Sequence, residues 1–399
     1  MSRGRILIAL LFATSLAWAE GPHPFGAHAG EAARLPAPDW MKEGTRIHWK
    51  TLTGSIPQQV PDPKTGQMTT VAPAGAGVTT ADIVSLVGNT AGISVRTYVK
   101  SQFMYGGEAL SAPIEMGLVL PAAHGNEYWV HPSILKKTFE SLGKEGPWTG
   151  LHGPYEWEGR KVAAYQFTTG GGKADIHRTS LVYDEKTGIL LFGLVSQRKS
   201  VQEQFYALLI HEFLALRDRQ LPWAEGRPPG WLARIAAYEY RGSIVYEMEG
   251  MPPTPIGLRS TLTPDSVGTN YITYKLKTQL EVSGPPGMED PPSKLISGPT
   301  QVGGLWLPPL EIRKLRAGQV CDRDPTLEST LVVQHVGGTQ YGRNVVTLRE
   351  DAPGYTIFLD YEIETGMLLL LTVKNKLMQT STQLAFVAKQ RAQAAPGGR

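Results

Sequence analysis

A nine-residue hairpin pattern occurs twice in this chain. Tyr183-Asp184-Glu185-Lys186-Thr187-Gly188-Ile189-Leu190-Leu191 reads as a strand, a polar turn closed by glycine, and a second strand. Tyr361-Glu362-Ile363-Glu364-Thr365-Gly366-Met367-Leu368-Leu369 repeats it at an offset of 361 − 183 = 178. Two further echoes keep nearly that register, each at an offset of 177. They are Lys100-Ser101-Gln102-Phe103 with Lys277-Thr278-Gln279-Leu280, and Trp129-Val130-His131-Pro132 with Trp306-Leu307-Pro308-Pro309. Matches in one order at nearly one spacing predict an internal duplication.

The openings of the two copies, Pro38-Asp39-Trp40-Met41 and Pro229-Gly230-Trp231-Leu232, are offset by 191. The first copy therefore carries extra residues before its middle, and the Gly/Pro/Gln/Thr-rich stretch Gly54–Gly77 predicts a long hairpin or loop there. Ahead of the copies, Arg3 and Arg5 precede an apolar run ending in Ala17-Trp18-Ala19, the pattern of a secretory signal peptide. The expected organisation is a signal peptide at 1–19, a flexible lead-in at 20–36, a first β-rich repeat at 37–222 and a second at 223–399. The expected location is periplasmic or secreted, with no integral membrane segment after signal removal. One cysteine, Cys321, excludes an intrachain disulfide, so the fold rests on its core. A formal charge of +3, and no Lys/Arg cluster, gives no electrostatic footprint for nucleic acid.

Each repeat reads as an antiparallel meander rich in turns. Strands are expected at Ile93–Met104, Ile114–Leu120, Lys161–Thr168, Ala174–Tyr183 and Ile189–Gln197 in the first. In the second they are expected at Ala236–Met248, Tyr271–Val282, Leu305–Arg316, Glu328–His335, Asn344–Arg349, Tyr355–Tyr361, Met367–Lys374 and Gln383–Val387. Ser133–Leu142 predicts a short helix. Val201–Arg217, apolar nearly all round at 100° per residue, predicts a long buried one. The unbroken run Met367–Leu371 implies a strand covered on both faces. The fold class is therefore mainly β (α+β): two tandem curved antiparallel sheets, at least one packed on a buried helix.

Few residues read as a site. Thr169-Gly170-Gly171-Gly172-Lys173 lacks the first glycine and the Ser/Thr of a phosphate loop, having Phe167 and Ala174 in their places. His211-Glu212 lacks the second histidine of a zinc helix, since position 215 is Ala215. Glu212, on the expected helix among Phe205, Leu208, Leu209 and Leu216, is a buried carboxylate that could pair with an arginine or act as an acid or base. His23 and His28 fall in the lead-in, and His48, His124, His131, His152, His177 and His335 form no pair at ligand spacing. No catalytic residue, metal ligand or cofactor is assigned. The matched tryptophans Trp129 and Trp306 pack a core or line an apolar groove. Leu369 and Leu371 are candidate groove residues, because Asn375–Gln383 is too polar to cover the second sheet.

Curved sheets with the Tyr-x-x-x-Thr-Gly hairpin, over Leu181–Leu216 and Ile357–Lys374, resemble the bacterial periplasmic lipoprotein carriers and related half-barrel proteins. The resemblance implies acyl-chain binding inside a half-barrel and supplies no catalytic residue. Three functions follow as expectations. The first is an exported binding protein for an apolar or lipidic ligand, with Trp129, Trp306, Leu369, Leu371 and Glu212 as candidate contacts. The second is an envelope assembly factor that uses its sheets to bind an envelope protein. The third is a hydrolase whose site has no recognisable motif.

Overall fold

A computed structural model of the chain describes residues 24–54, 58–61, 68–71, 74–100, 109–142, 146–170, 177–197, 207–246, 252–281, 293–338, 342–376 and 379–391. The signal-peptide segment, the Ser283–Pro292 loop and residues 101–103, 171–173 and 201–206 lie outside the described residues.

In chain order the first half holds β1 (Thr45–Gly54), β2 (Gln58–Pro61), β3 (Met68–Val71), β4 (Ala74–Val87), β5 (Thr90–Lys100) and β6 (Ile114–Pro121). It continues with β7 (Trp148–Trp157), β8 (Arg160–Thr169), β9 (His177–Asp184), β10 (Leu190–Gln197) and β11 (Ala207–Asp218). The second half holds β12 (Ile235–Tyr246), β13 (Thr254–Val267), β14 (Ile272–Glu281), β15 (Ser293–Ser297) and β16 (Val320–Asp324). Its last strands are β17 (Ser329–Gly338), β18 (Asn344–Ala352), β19 (Tyr355–Glu362), β20 (Leu368–Asn375) and β21 (Thr380–Arg391). Helical pieces are α1 (Ala29–Ala32), α2 (Pro132–Ser141) and α3 (Pro309–Ile312), with single 3-10 turns at Gly26–His28 and Leu232–Arg234.

Two antiparallel sheets result, and neither closes into a barrel. The first has the order β6-β5-β4-β1-β11-β10-β9-β8-β7, and the second β15-β14-β13-β12-β21-β20-β19-β18-β17-β16. In both, the first strand of the half pairs with the last, so the sheet is assembled around a long-range central contact, β1 with β11 and β12 with β21. The shared order fits a duplication. The first copy's surplus residues fall in the connection 55–73, where β2 and β3 form a separate hairpin, against a connection of only 247–253 in the second. Among the described strands of the two large sheets, β16 has no counterpart: it adds an edge beyond β17, and the first sheet ends at β7.

Register also corrects one echo. Trp49 lies opposite Phe213 and Tyr240 opposite Phe386, and the side-chain N–H or O–H of each donates to a carbonyl, of Leu190 and of Leu368 respectively. Carried outward from that frame, Lys277 matches Arg96 rather than Lys100.

Two element expectations fail for physical reasons. The described part of Val201–Arg217 is not a helix but β11, the central strand between β1 and β10. An apolar run such as Leu208–Leu214 suits a strand covered on both faces as well as a buried helix, and periodicity does not separate them. The helix that packs on the first sheet is α2 instead. It buries Ile134 and Leu135 among Phe25, Tyr165, Phe167, Leu181 and Tyr183. Its cap is His131, whose Nδ1 accepts from the Ser133 N–H at 3.2 Å. Leu305–Arg316 is likewise no strand. Pro308 and Pro309 cannot donate to a ladder, and Pro309 opens α3 at the first helical position, where a missing N–H costs nothing.

Candidate functional site

The duplicated hairpin is a structural latch, built twice. Trp129 bridges to Ile189 and Trp306 to Met367. Val130 N–H donates to the Gly188 carbonyl at 2.9 Å, and Leu307 N–H to the Gly366 carbonyl at 2.8 Å. Trp40 Nε1 donates to the Thr187 carbonyl at 2.9 Å, and Trp231 Nε1 to the Thr365 carbonyl at 2.8 Å. The Tyr183 hydroxyl donates to the Glu127 carbonyl and the Tyr361 hydroxyl to the Gly304 carbonyl, each at 3.0 Å. The glycines are required: φ is +72° at Gly188 and +71° at Gly366, and a Cβ there would sit 1.9 Å and 2.0 Å from the Val130 and Leu307 oxygens.

Chemistry-bearing side chains gather elsewhere, between the halves. In β1, β4 and β5 apolar residues alternate with polar ones, yet both faces are buried. Ile47, Trp49, Ala81, Ile83, Ile93 and Val95 enter the first half's core. Arg46, His48, Thr80, Asp82, Ser94 and Arg96 point the other way and are buried as deeply. What buries them is the second half.

Arg46 Nη2 donates to Asp82 Oδ2 at 2.7 Å while Nη1 donates to Asp324 Oδ2 at 2.9 Å. His48 Nε2 lies 2.9 Å from the same Asp324 oxygen, and Arg217 Nη1 3.0 Å from it. Arg219 Nε donates to Asp322 Oδ2 at 2.9 Å, and Arg217 reaches the other oxygen of Asp322. Both aspartates belong to β16, the strand without a counterpart. The other Asp324 oxygen caps the following turn, accepting from Thr326 N–H at 3.1 Å and Leu327 N–H at 3.3 Å.

The contact continues along the face. Arg96 pairs with Glu115 at 3.2 Å and donates to the Val302 carbonyl, and Gln301 donates to Glu115 and Ser94. Thr300 Oγ1 donates to the carbonyls of Ile83 and Val84, both at 3.1 Å. At the far end Tyr98 stacks on Tyr355, centroids 6.0 Å apart, and the Tyr355 hydroxyl donates to Glu350 at 3.0 Å.

Burial alone would raise the Asp82 carboxyl, but Arg46 and Arg219 hold it well below the usual carboxylate range. Asp324 is likewise depressed, the hydrogen bond from His48 and the charge of Arg46 outweighing burial. Both therefore stay ionised inside the protein. The array joins first-half arginines to second-half aspartates as a clasp, and a small polar cleft runs beside it among Arg46, Arg219, Asp322, Asp324, Ser329 and Glu350.

The residues singled out from the sequence do not converge. Trp129 and Trp306 are fully buried in the separate cores of the two halves. Leu369 and Leu371 are half-buried and pack against two different clusters, that of Tyr240 and Trp306 and that of Leu331 and Leu359. Glu212 is exposed and pairs with Lys50 at 3.2 Å, so the expectation of a buried carboxylate fails with the helix that implied it. Its neighbour His211 is the buried one, 3.1 Å from Thr51 Oγ1, and burial pushes its pKa down to about 4. Cys321 faces a core, where burial pushes the thiol up to about 12. The clasp residues carried no local signal. Arg46 and His48 alternate with Ile47 and Trp49 as in any half-exposed strand, and only the second half's position makes that face interior.

No protein-family model matches the chain, and no curated protein does. Among solved structures it is similar to MucB in complex with MucA(peri), at 12% identity and a TM-score of 0.21, over 82% of this chain and 92% of that one. It is also similar to a chain of the Pseudomonas aeruginosa MucA/MucB complex, at 11% identity and a TM-score of 0.19, over 91% and 93%. Likeness at this level carries no functional argument, and the chain's own geometry must supply one.

Proposed function

We propose that this is an exported, non-catalytic envelope protein that binds a protein partner across two sheets held in one fixed relation. The carrying observation is the clasp. Replacing buried ion pairs by apolar residues is often neutral or stabilising, so such pairs are weak devices for stability, and their best-attested use is to specify one arrangement. A fixed arrangement of two sheets matters to a molecule whose surfaces act together. Export rests on the Met1–Ala19 segment.

The test is recovery of a crosslinked envelope partner by native protein and by the Asp322→Asn/Asp324→Asn variant, with both sheets folded by circular dichroism. Recovery should fall at least about tenfold in the variant. Equal recovery defeats the reading.

A second reading, an apolar or lipidic ligand on the second sheet, has its own observation. Leu191 in the first half is buried beneath Trp157 and Phe192, whereas Leu369, its counterpart, is half-buried, with Leu370, Leu371, Leu384 and Phe386 likewise half-buried around it. Leu369→Asp or Leu371→Asp should abolish acyl-chain retention, read by native mass spectrometry, while the fold persists. If both substitutions simply unfold the second half, that surface is core and the ligand reading falls.

A further inference from the structure

The two sheets end differently at one corresponding edge. Carried outward from Tyr183 and Tyr361, the pairing matches Phe167 with Leu348, Gly150 with Val333 and Trp148 with Leu331, so β7 corresponds to β17. In the second half the chain from Gly318 to Asp324 covers β17. The Val333 N–H donates to the Gln319 carbonyl and the Val333 carbonyl accepts from the Gly318 N–H, both at 2.8 Å. β16 then runs antiparallel to β17, with Cys321 entering the core beside Leu331 and Val333. The covering residues come from the connection 313–328 between α3 and β17, whereas α2 and β7 are joined by 142–147 alone. Among the described strands, none pairs with the outer side of β7.

The hairpin turn fixes which β7 groups face outward. Glu158 and Gly159, at φ +47° and +72°, make a two-residue turn, so Trp157 and Arg160 exchange both backbone bonds. Alternation from there turns the N–H and C=O of Gly150, His152 and Glu156 away from β8. Pro154 belongs to the same set, so its missing N–H takes no bond from β8. The stretch Trp148–Tyr155 has no Lys, Arg, Asp or Glu, the charges that commonly guard an open edge. On one face of it Leu151 is 67% exposed, and on the other the half-buried Phe139 and Leu142 lie over Gly150.

We propose that β7 takes an extended segment of a protein partner as an added antiparallel strand centred on Gly150. Gly150 is then bonded as Val333 is, and a small apolar side chain of the segment meets Trp148, Phe139 and Leu142 as Cys321 meets Leu331 and Val333. This rests on the protein-binding reading above and names the surface and the partner's chemistry.

A fluorescent peptide reproducing residues 316–324 serves as the probe, titrated onto the full chain and followed by anisotropy. It carries Cys321→Val, with Asp322→Asn and Asp324→Asn so that the arginines of the clasp do not attract it. Saturable binding is expected, and in the native chain it should slow amide exchange in β7. His152→Pro in the protein should weaken binding at least about tenfold. It removes an outward N–H and sets a ring on the edge, as Pro154 already does, without breaking a bond to β8. His152→Ala loses the same contacts, to Glu185 and Tyr165, but keeps the N–H, and should bind like the parent. Near-UV circular dichroism checks that both variants fold. Absence of saturable binding overturns the proposal, as does slowed exchange that leaves β7 unaffected. Equal binding by parent and His152→Pro, or equal loss in His152→Pro and His152→Ala, also overturns it. So does a dimer in sedimentation that His152→Pro dissociates, since the occupant is then a second copy of the chain. If His152→Pro still recovers the envelope partner that the clasp variant loses, the protein-binding reading stands and this inference falls.

Discussion

At the scale of single residues, the clasp makes its carboxylates costly to remove. Asp324→Asn leaves Arg46 and His48 facing a neutral amide in the interior, and breaking a buried pair costs about 3–5 kcal/mol. Urea unfolding should show that loss, whereas Glu212→Gln, at an exposed pair with Lys50, should cost less than about 1 kcal/mol. Acid should act in two stages. Burial lowers His211 and His124 from the ordinary 6.5 to about 4. Between those values the unfolded chain binds more protons than the folded one, so stability falls as pH drops from 6.5 toward 4. Glu127 has the opposite sign, burial raising it from 4.5 to about 7. Its contribution is intact below 4.5 and lost as pH rises through 7. His124 and His211 against Glu127 leave a net of roughly one proton from these three groups, or up to about 1.4 kcal/mol per pH unit, between pH 4.5 and 6.5, and His131, also lowered by burial, adds in the same direction. Glu127→Gln should steepen that slope; an unchanged slope would show that Glu127 titrates normally. Below about pH 3.8 the aspartates of the unfolded chain take up protons while Asp82 and Asp324 stay ionised in the fold, so the clasp's contribution declines progressively with further acid.

At the scale of elements, Gly188→Ala and Gly366→Ala each force a Cβ against a carbonyl at positive φ. Each should destabilise its own half by more than about 1 kcal/mol, to similar extents. A neutral result at either would mean that the two latches are not equivalent. This latch was legible in the sequence because all its parts recur: tyrosine, Thr-Gly and a tryptophan at nearly one spacing. The mainly β class and the long insert after β1 were legible for the same reason, since two copies could be compared. The central strand β11 was not. Its apolar run satisfies a helix locally, and its partners in β1 lie some 160 residues away, as with Lys50 and Glu212. The clasp was less legible still. Alternation in β1 and β5 distinguishes two faces, but cannot tell water from a second sheet on the polar one. Asp322 and Asp324 lie on the strand without a repeat, where comparison between copies has nothing to compare.

At the scale of the whole molecule, duplication supplies two like sheets and β16 supplies the difference between them. It places acidic residues against the first sheet's basic face. Two independent sheets on a linker would open separately. Joined through Arg46, Arg217 and Arg219 to Asp322 and Asp324, they should behave as one unit. Hydrogen exchange followed by mass spectrometry across a urea series reads the two sheets separately in one sample. In the native protein the protected amides of β1–β11 and β12–β21 should be lost together at one urea concentration. In Asp322→Asn/Asp324→Asn they should separate into two steps. Separate steps already in the native protein, or a single step unaltered by the double substitution, would contradict a clasp that makes the two sheets one body.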